Sequence, residues 1–173
     1  VDGVNYDAVD IEQAIATFSG TASGNGGDGA NIFIDGADRA AVTALSGSVF
    51  NGNGDDGLSV TTIDTTLLPI AVGPLVTPIG DFTAIPGMSL DGLTAEENMG
   101  DGIVFDGTRT TIVNGEVVNN VARANGGDGL RVALTDSMAD NLRIATNNST
   151  ENTLNGISVG LSTWQCGMST TFW

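Results

Sequence analysis

Apolar and polar residues alternate with period two in six separate stretches of this chain, and each stretch begins directly after a glycine. The glycines are Gly3, Gly29, Gly57, Gly102, Gly129 and Gly156. The first residue after each is Val4, Ala30, Leu58, Ile103, Leu130 and Ile157; the third is Tyr6, Ile32, Val60, Phe105, Val132 and Val159. Alternation of this kind gives a β-strand one apolar face. Counting back from the next glycine brings out a second register. Twelve residues before it stand Leu45, Leu90, Val117 and Ile144; fourteen before it stand Thr43, Met88, Gly115 and Leu142. Each repeat is therefore expected to carry at least two strands that point inward.

The glycines close a turn motif, Asn-x-x-Asp-Gly-apolar-x-apolar. Its Asn residues are Asn25, Asn53, Asn98, Asn125 and Asn152. Its acidic residues are Asp28, Asp56, Asp101 and Asp128, with Asn155 at the same place in the last copy, and Val1-Asp2-Gly3-Val4 is a partial copy. Successive glycines are 26, 28, 45, 27 and 27 residues apart. A repeat this short cannot bury its apolar face alone, whereas stacked repeats cover one another. The expected fold is all-β: a right-handed parallel β-helix of five to six coils, forming one domain over 1–173. Equivalent residues would then lie about 4.8 Å apart. The five Asn would form a structural ladder, each side-chain amide donating to the carbonyl of the next.

The Asn-x-x-Asp-Gly-[Ile/Leu]-x-Val turns resemble the parallel β-helix repeats of the pectate-lyase-like superfamily. That resemblance covers most of the chain. It implies the architecture and leaves activity open, because the fold serves lyases, hydrolases, autotransporter passengers and bacterial surface proteins.

Three segments depart from the repeat. Over 7–18, Ala14, Ile15 and Phe18 stand at helical spacing with Asp10 placed as an N-cap, which predicts a short helix capping the stack. Ile15 and Thr17 also fit the second strand register there. The 45-residue step exceeds 27 by 18, and the excess around 62–87 holds all four prolines, Pro69, Pro74, Pro78 and Pro86. Such density reads as an apolar insertion loop. The end, 160–173, loses the repeat and reads as a cap carrying Trp164, Phe172 and Trp173, or as a truncated coil of a longer chain.

The net charge is −16, from 21 acidic residues and five Arg (Arg39, Arg109, Arg123, Arg131, Arg143), with no Lys and no His. That balance argues against nucleic acid or anionic lipid as a partner. The missing His removes the commonest acid–base catalyst and metal ligand. Cys166 is the only cysteine, so no intrachain disulfide forms, and no apolar run reaches the length of a membrane span.

Two chemistries compete for the acidic column Asp28, Asp56, Asp101 and Asp128. One is calcium, the single cofactor to consider, bound by carboxylate oxygens. The other is a set of Asx turns in which each Asp accepts backbone N–H bonds. Arg131 should point outward beside Asp128. There it would relieve the acidic column. The resemblance to the pectate-lyase-like superfamily, whose lyases use an Arg or Lys base near calcium-binding carboxylates, instead makes Arg109, Arg123, Arg131 and Arg143 the candidates for a base. The apolar positions of the insertion, Leu67, Leu68, Ile70, Val72, Leu75, Val76 and Ile79, are the candidate partner-binding residues. Asn147-Asn148-Ser149-Thr150 contains two overlapping glycosylation sequons, relevant in a secretory context. The expected function is a non-enzymatic structural or adhesive module, extracellular or on a bacterial surface, that binds a protein partner or itself through the insertion. The alternative is a small polysaccharide lyase or glycoside hydrolase with carbohydrate as its partner.

Overall fold

A computed structural model describes residues 1–44, 46–72, 83–162 and 170–172; side chains are described outside 71–72, 83–85 and 170–172. It is a parallel β-solenoid of about five turns, all-β, with no helix among the described residues. The first coil carries β1 (Val4–Val9) and β2 (Gln13–Phe18). The second carries β3 (Ala30–Asp35), β4 (Arg39–Ala44) and β5 (Val49–Asn51). The third carries β6 (Leu58–Ile63), β7 (Thr66–Leu67), β8 (Ile70–Val72), β9 (Thr83–Ile85), β10 (Met88–Asp91) and β11 (Thr94–Glu96). The fourth carries β12 (Ile103–Thr108), β13 (Thr111–Val113), β14 (Gly115–Val118) and β15 (Val121–Arg123). The fifth carries β16 (Leu130–Thr135), β17 (Met138–Asp140), β18 (Leu142–Ala145) and β19 (Asn148–Thr150), and β20 (Ile157–Ser162) and β21 (Thr170–Phe172) follow.

Three parallel sheets make the three faces. The first is β1-β3-β6-β12-β16-β20, with Val4, Ala30, Leu58, Ile103, Leu130 and Ile157 in register. Ala30, Leu58, Ile103 and Leu130 are essentially inaccessible to solvent. The second face pairs β2 with β4, and β4 with both β7 and β10. The third is β5-β11-β15-β19. Inward residues of all three faces form one continuous core, in which Phe18 and Phe50 pack with ring centroids 4.8 Å apart.

The expected helix over 7–18 does not form. Asp10 is the corner between two strands, with φ 51°, and Ala14, Ala16 and Phe18 of β2 alternate inward. Asp10 lies seven residues after its glycine, as do Gly36, Asp64, Arg109 and Asp136, and all five adopt positive φ. Asp10 therefore occupies a corner shared by every coil, and period two wins over a chance helical spacing. The second register also shifts. Val42 and Ala44, in place of Thr43 and Leu45, align with Met88 and Leu90, and Ala16 and Phe18, in place of Ile15 and Thr17, occupy the first coil. Leu45 lies outside the described residues. Counted forward from the preceding glycine, Ala16, Val42, Gly115 and Leu142 all stand at thirteen. The third-face residues Thr21, Val49, Thr94, Val121 and Asn148 all stand eight before the next glycine. The missing residue of the 26-residue step and the extra one of the 28-residue step therefore both fall at the corner between the second and third faces.

The insertion is an excursion within the second face. Leu67 pairs with Ile112 and Met88 with Gly115. Leu68 and Gly87 thus take the places of Val113 and Asn114, and the 18 additional residues are 69–86, bounded by Pro69 and Pro86. The proposed stretch 62–68 belongs to the coil. β8 and β9 form an antiparallel pair at the base of the excursion. A Cβ on Gly87 would lie 2.7 Å from the Leu68 nitrogen, so the chain returns against the backbone it left.

Candidate functional site

The turn motif lies between the third and first faces, where each coil passes into the next. Nδ2 of Asn25, Asn53, Asn98 and Asn125 donates to Oδ1 of Asn53, Asn98, Asn125 and Asn152 at 3.0, 2.9, 2.9 and 2.9 Å. The same oxygens accept the backbone N–H of the donating Asn. The second amide proton of Asn53, Asn98, Asn125 and Asn152 goes to the carbonyls of Ala22, Phe50, Ala95 and Ala122. Asn53, Asn98 and Asn125 are buried, so each bond is made away from competing water.

The acidic column runs with opposite polarity. The backbone N–H of Asp28, Asp56, Asp101, Asp128 and Asn155 donates to Oδ1 of Asp2, Asp28, Asp56, Asp101 and Asp128, one coil earlier. Each carboxylate therefore has one oxygen engaged by the adjacent coil. Burial raises the Asp56 carboxyl to about 6, against the lowering effect of the Asp101 N–H, with Asp101, Asp28 and Asp55 raising it further. Burial also raises Asp28. One oxygen each from Asp28, Asp55 and Asp56 lies within 4.8 Å of the others; Asp101 and Asp128 are not part of that group. Asp55, a motif x position, carries no signal that sequence reasoning would single out.

Arg131 does point outward, but its partners are Asp101 (Nε to Oδ2, 3.2 Å) and Asp106 (Nη2 to Oδ2, 2.7 Å). Burial raises the Asp106 carboxyl, partly offset by that guanidinium. Arg109 holds Asp64 through two bonds, Nε to Oδ1 at 2.6 Å and Nη2 to Oδ2 at 2.7 Å, on the exposed corner.

Two further ladders were not anticipated. Between the second and third faces, Asn120 donates through Nδ2 to Oδ1 of Asn147 at 3.0 Å, and Oδ1 of Asn120 accepts the Leu93 N–H. Between the first and second faces, Ser137 Oγ accepts the Thr110 N–H at 3.0 Å. The 27-residue spacing of Asn120 and Asn147 was the available signal.

The candidate partner residues separate. Leu67 is fully buried in the interior column of Ala40 and Ile112. Leu68 is half-buried and its N–H donates to the Ala40 carbonyl. Ile70 is buried outside the core cluster. Ala41 and Thr43 point outward by register from the same sheet, yet they are 0% and 8% exposed. That part of the outer surface of the second face is therefore covered. Val72 lies in β8, with its backbone alone described; Leu75, Val76 and Ile79, like Cys166, Trp164 and Trp173, lie outside the described residues.

The fold and turns define a parallel β-solenoid whose corners are stacked polar ladders. No protein-family model and no curated protein matches the chain. Among the described residues no helix is long and apolar enough to cross a membrane.

Proposed function

We propose that this protein is a non-enzymatic extracellular structural or adhesive module, a stiff solenoid that meets a protein partner or a second copy of itself through the distal part of its insertion. The carrying observation is where the insertion leaves and rejoins its coil. Eighteen residues leave and rejoin one coil, while the strands on either side keep their register. A scaffold of this kind holds a loop at one fixed position. With Leu67 and Ile70 buried, and Leu68 half-buried and bonded into the coil, the contact residues are reduced to Val72, Leu75, Val76 and Ile79. Leaving four apolar side chains in water is disfavoured, and burial against a partner would relieve it. The prolines limit the freedom lost on binding.

The Arg131–Asp101–Asp106 group supports a second reading, a carbohydrate-active enzyme. It supports it weakly, because a guanidinium paired with two carboxylates is a poor proton acceptor. Deleting 69–86 and joining Leu68 to Gly87 tests the first reading. Residues Val113 and Asn114 already make that connection in the fourth coil. The expected result is a folded monomer that no longer assembles. Unchanged assembly, or a chain that unfolds, counts against it.

A further inference from the structure

Of the two overlapping sequons, we propose that Asn148 is a glycan-acceptor site and that Asn147 is not. The adjacent side chains meet opposite environments. Asn147 is half-buried in the corner ladder: Oδ1 accepts both the N–H and Nδ2–H of Asn120, and Nδ2 donates to the Val117 carbonyl at 2.9 Å. The hydroxyl two residues on, Ser149, is equally committed, donating to the Gly156 carbonyl and accepting from Asn152 Nδ2. A sugar on Asn147 Nδ2 would have to leave a half-buried corner, from an atom already held against the Val117 carbonyl at 2.9 Å.

Asn148 is on β19 and exposed, as is Thr150, while Ser149 between them is half-buried. The backbone of Asn148 is fixed by its N–H bond to the Asn120 carbonyl at 2.8 Å. Its carboxamide and the Thr150 hydroxyl take no side-chain partner among the described residues. Asn148-Ser149-Thr150 therefore offers an acceptor amide and a hydroxyl on the outward side of one strand, both free of structural duties. A glycan there projects into solvent from the third face and leaves every ladder bond in place.

The donor class is an oligosaccharide linked to a lipid through pyrophosphate. Nδ2 of Asn148 gives up one proton to the transferase's base and bonds to C1 of the first sugar. The C1–O bond breaks, and the lipid pyrophosphate leaves with the bonding pair. Nothing is oxidised or reduced. The inference rests on the extracellular reading only for the compartment where the donor is met.

The test directs the chain into a eukaryotic secretory pathway with an added leader, which supplies that compartment independently of the native location. Glycans are released enzymatically in heavy-oxygen water, and the tagged residue is located by peptide fragmentation. The expected tag is on Asn148 alone. It should be lost in Asn148→Gln and in Thr150→Ala, and all three chains should share one melting temperature, as surface changes allow. An untagged wild-type chain, a tag on Asn147, or loss of the β signal in chains glycosylated at Asn148 would overturn the proposal.

Discussion

Nδ2 of Asn53 donates to Oδ1 of Asn98 at 2.9 Å across 45 residues of sequence, and the bond matches the 2.9 Å step from Asn98 to Asn125 across 27. The insertion adds chain without adding distance, because it opens and closes at one point on the second face. The ladder is therefore a property of the stack and is indifferent to loop length.

That ladder predicts a large cost for its central members. Asn125→Ala removes the acceptor of both the N–H and the Nδ2–H of Asn98, and takes one donor from the Ala95 carbonyl. Stranding buried groups of this kind costs about 3 kcal/mol, or roughly a 6–12 °C fall in melting temperature for a chain of this size. Asn148→Ala on the exposed strand is the control and should leave thermal unfolding unchanged.

Acidity should stabilise the solenoid before it harms it. Asp56 is raised to about 6 in the folded state, chiefly by burial. Between the unfolded value, near 3.9, and that folded value, the folded chain binds more protons than the unfolded one. Stability contributed by this group is thus present at low pH and lost as pH rises through about 6. Asp28 acts in the same direction. Asp56→Asn retains Oδ1 to accept the Asp101 N–H and removes the charge. The variant should melt higher than wild type at pH 7.5, and the gap should close towards pH 4.5. A gap that stays constant with pH would refute the assignment.

The turn glycines are required for space. A Cβ on Gly102 would stand 2.5 Å from the Gly129 carbonyl oxygen and 2.7 Å from Asn125 Nδ2. Backbone cannot yield there, so Gly102→Ala should prevent folding or lower stability by several kcal/mol, about 3 or more. Gly160 in β20 has nothing within 4 Å of that position and no positive φ. Gly160→Ala should be neutral or mildly stabilising in the same denaturant titration.

Calcium should add no specific stability. One oxygen of each column Asp already accepts a backbone N–H from the next coil, which gives those carboxylates a structural role without an ion. Melting in calcium and in chelator, at matched ionic strength, is expected to coincide. A rise with calcium that disappears in Asp55→Asn would instead assign an ion to the Asp28, Asp55 and Asp56 oxygens.

Part of this was legible in the chain. Residues immediately after each turn glycine are tied to it by a fixed number of bonds, so Ile103, Leu130 and Ile157 can be read straight off the spacing. The second face was misread by one position at Val42 and Ala44. The coil length changes at the next corner, and counting backwards carries that change along. Helical spacing at Ala14, Ile15 and Phe18 misled for a related reason: a lone amphipathic segment cannot reveal that a β-strand waits beside it.

The sequence by itself determined the period, the inward columns of the first face and the Asn and Asp positions at each turn, because stacking requires the same chemistry to recur at the same place. Only the tertiary structure decided the partners. Arg131 reaches Asp101 and Asp106, since a side chain leaves its own coil to find charge on the one beneath. Leu67 joins the core and Ile70 is buried outside it, since the point where the excursion leaves the coil is set by pairing with Ile112 and Gly115. Asn147 and Asn148 are adjacent and chemically identical in sequence. The pleat of one strand and the corner before it put the first into a ladder and the second into water.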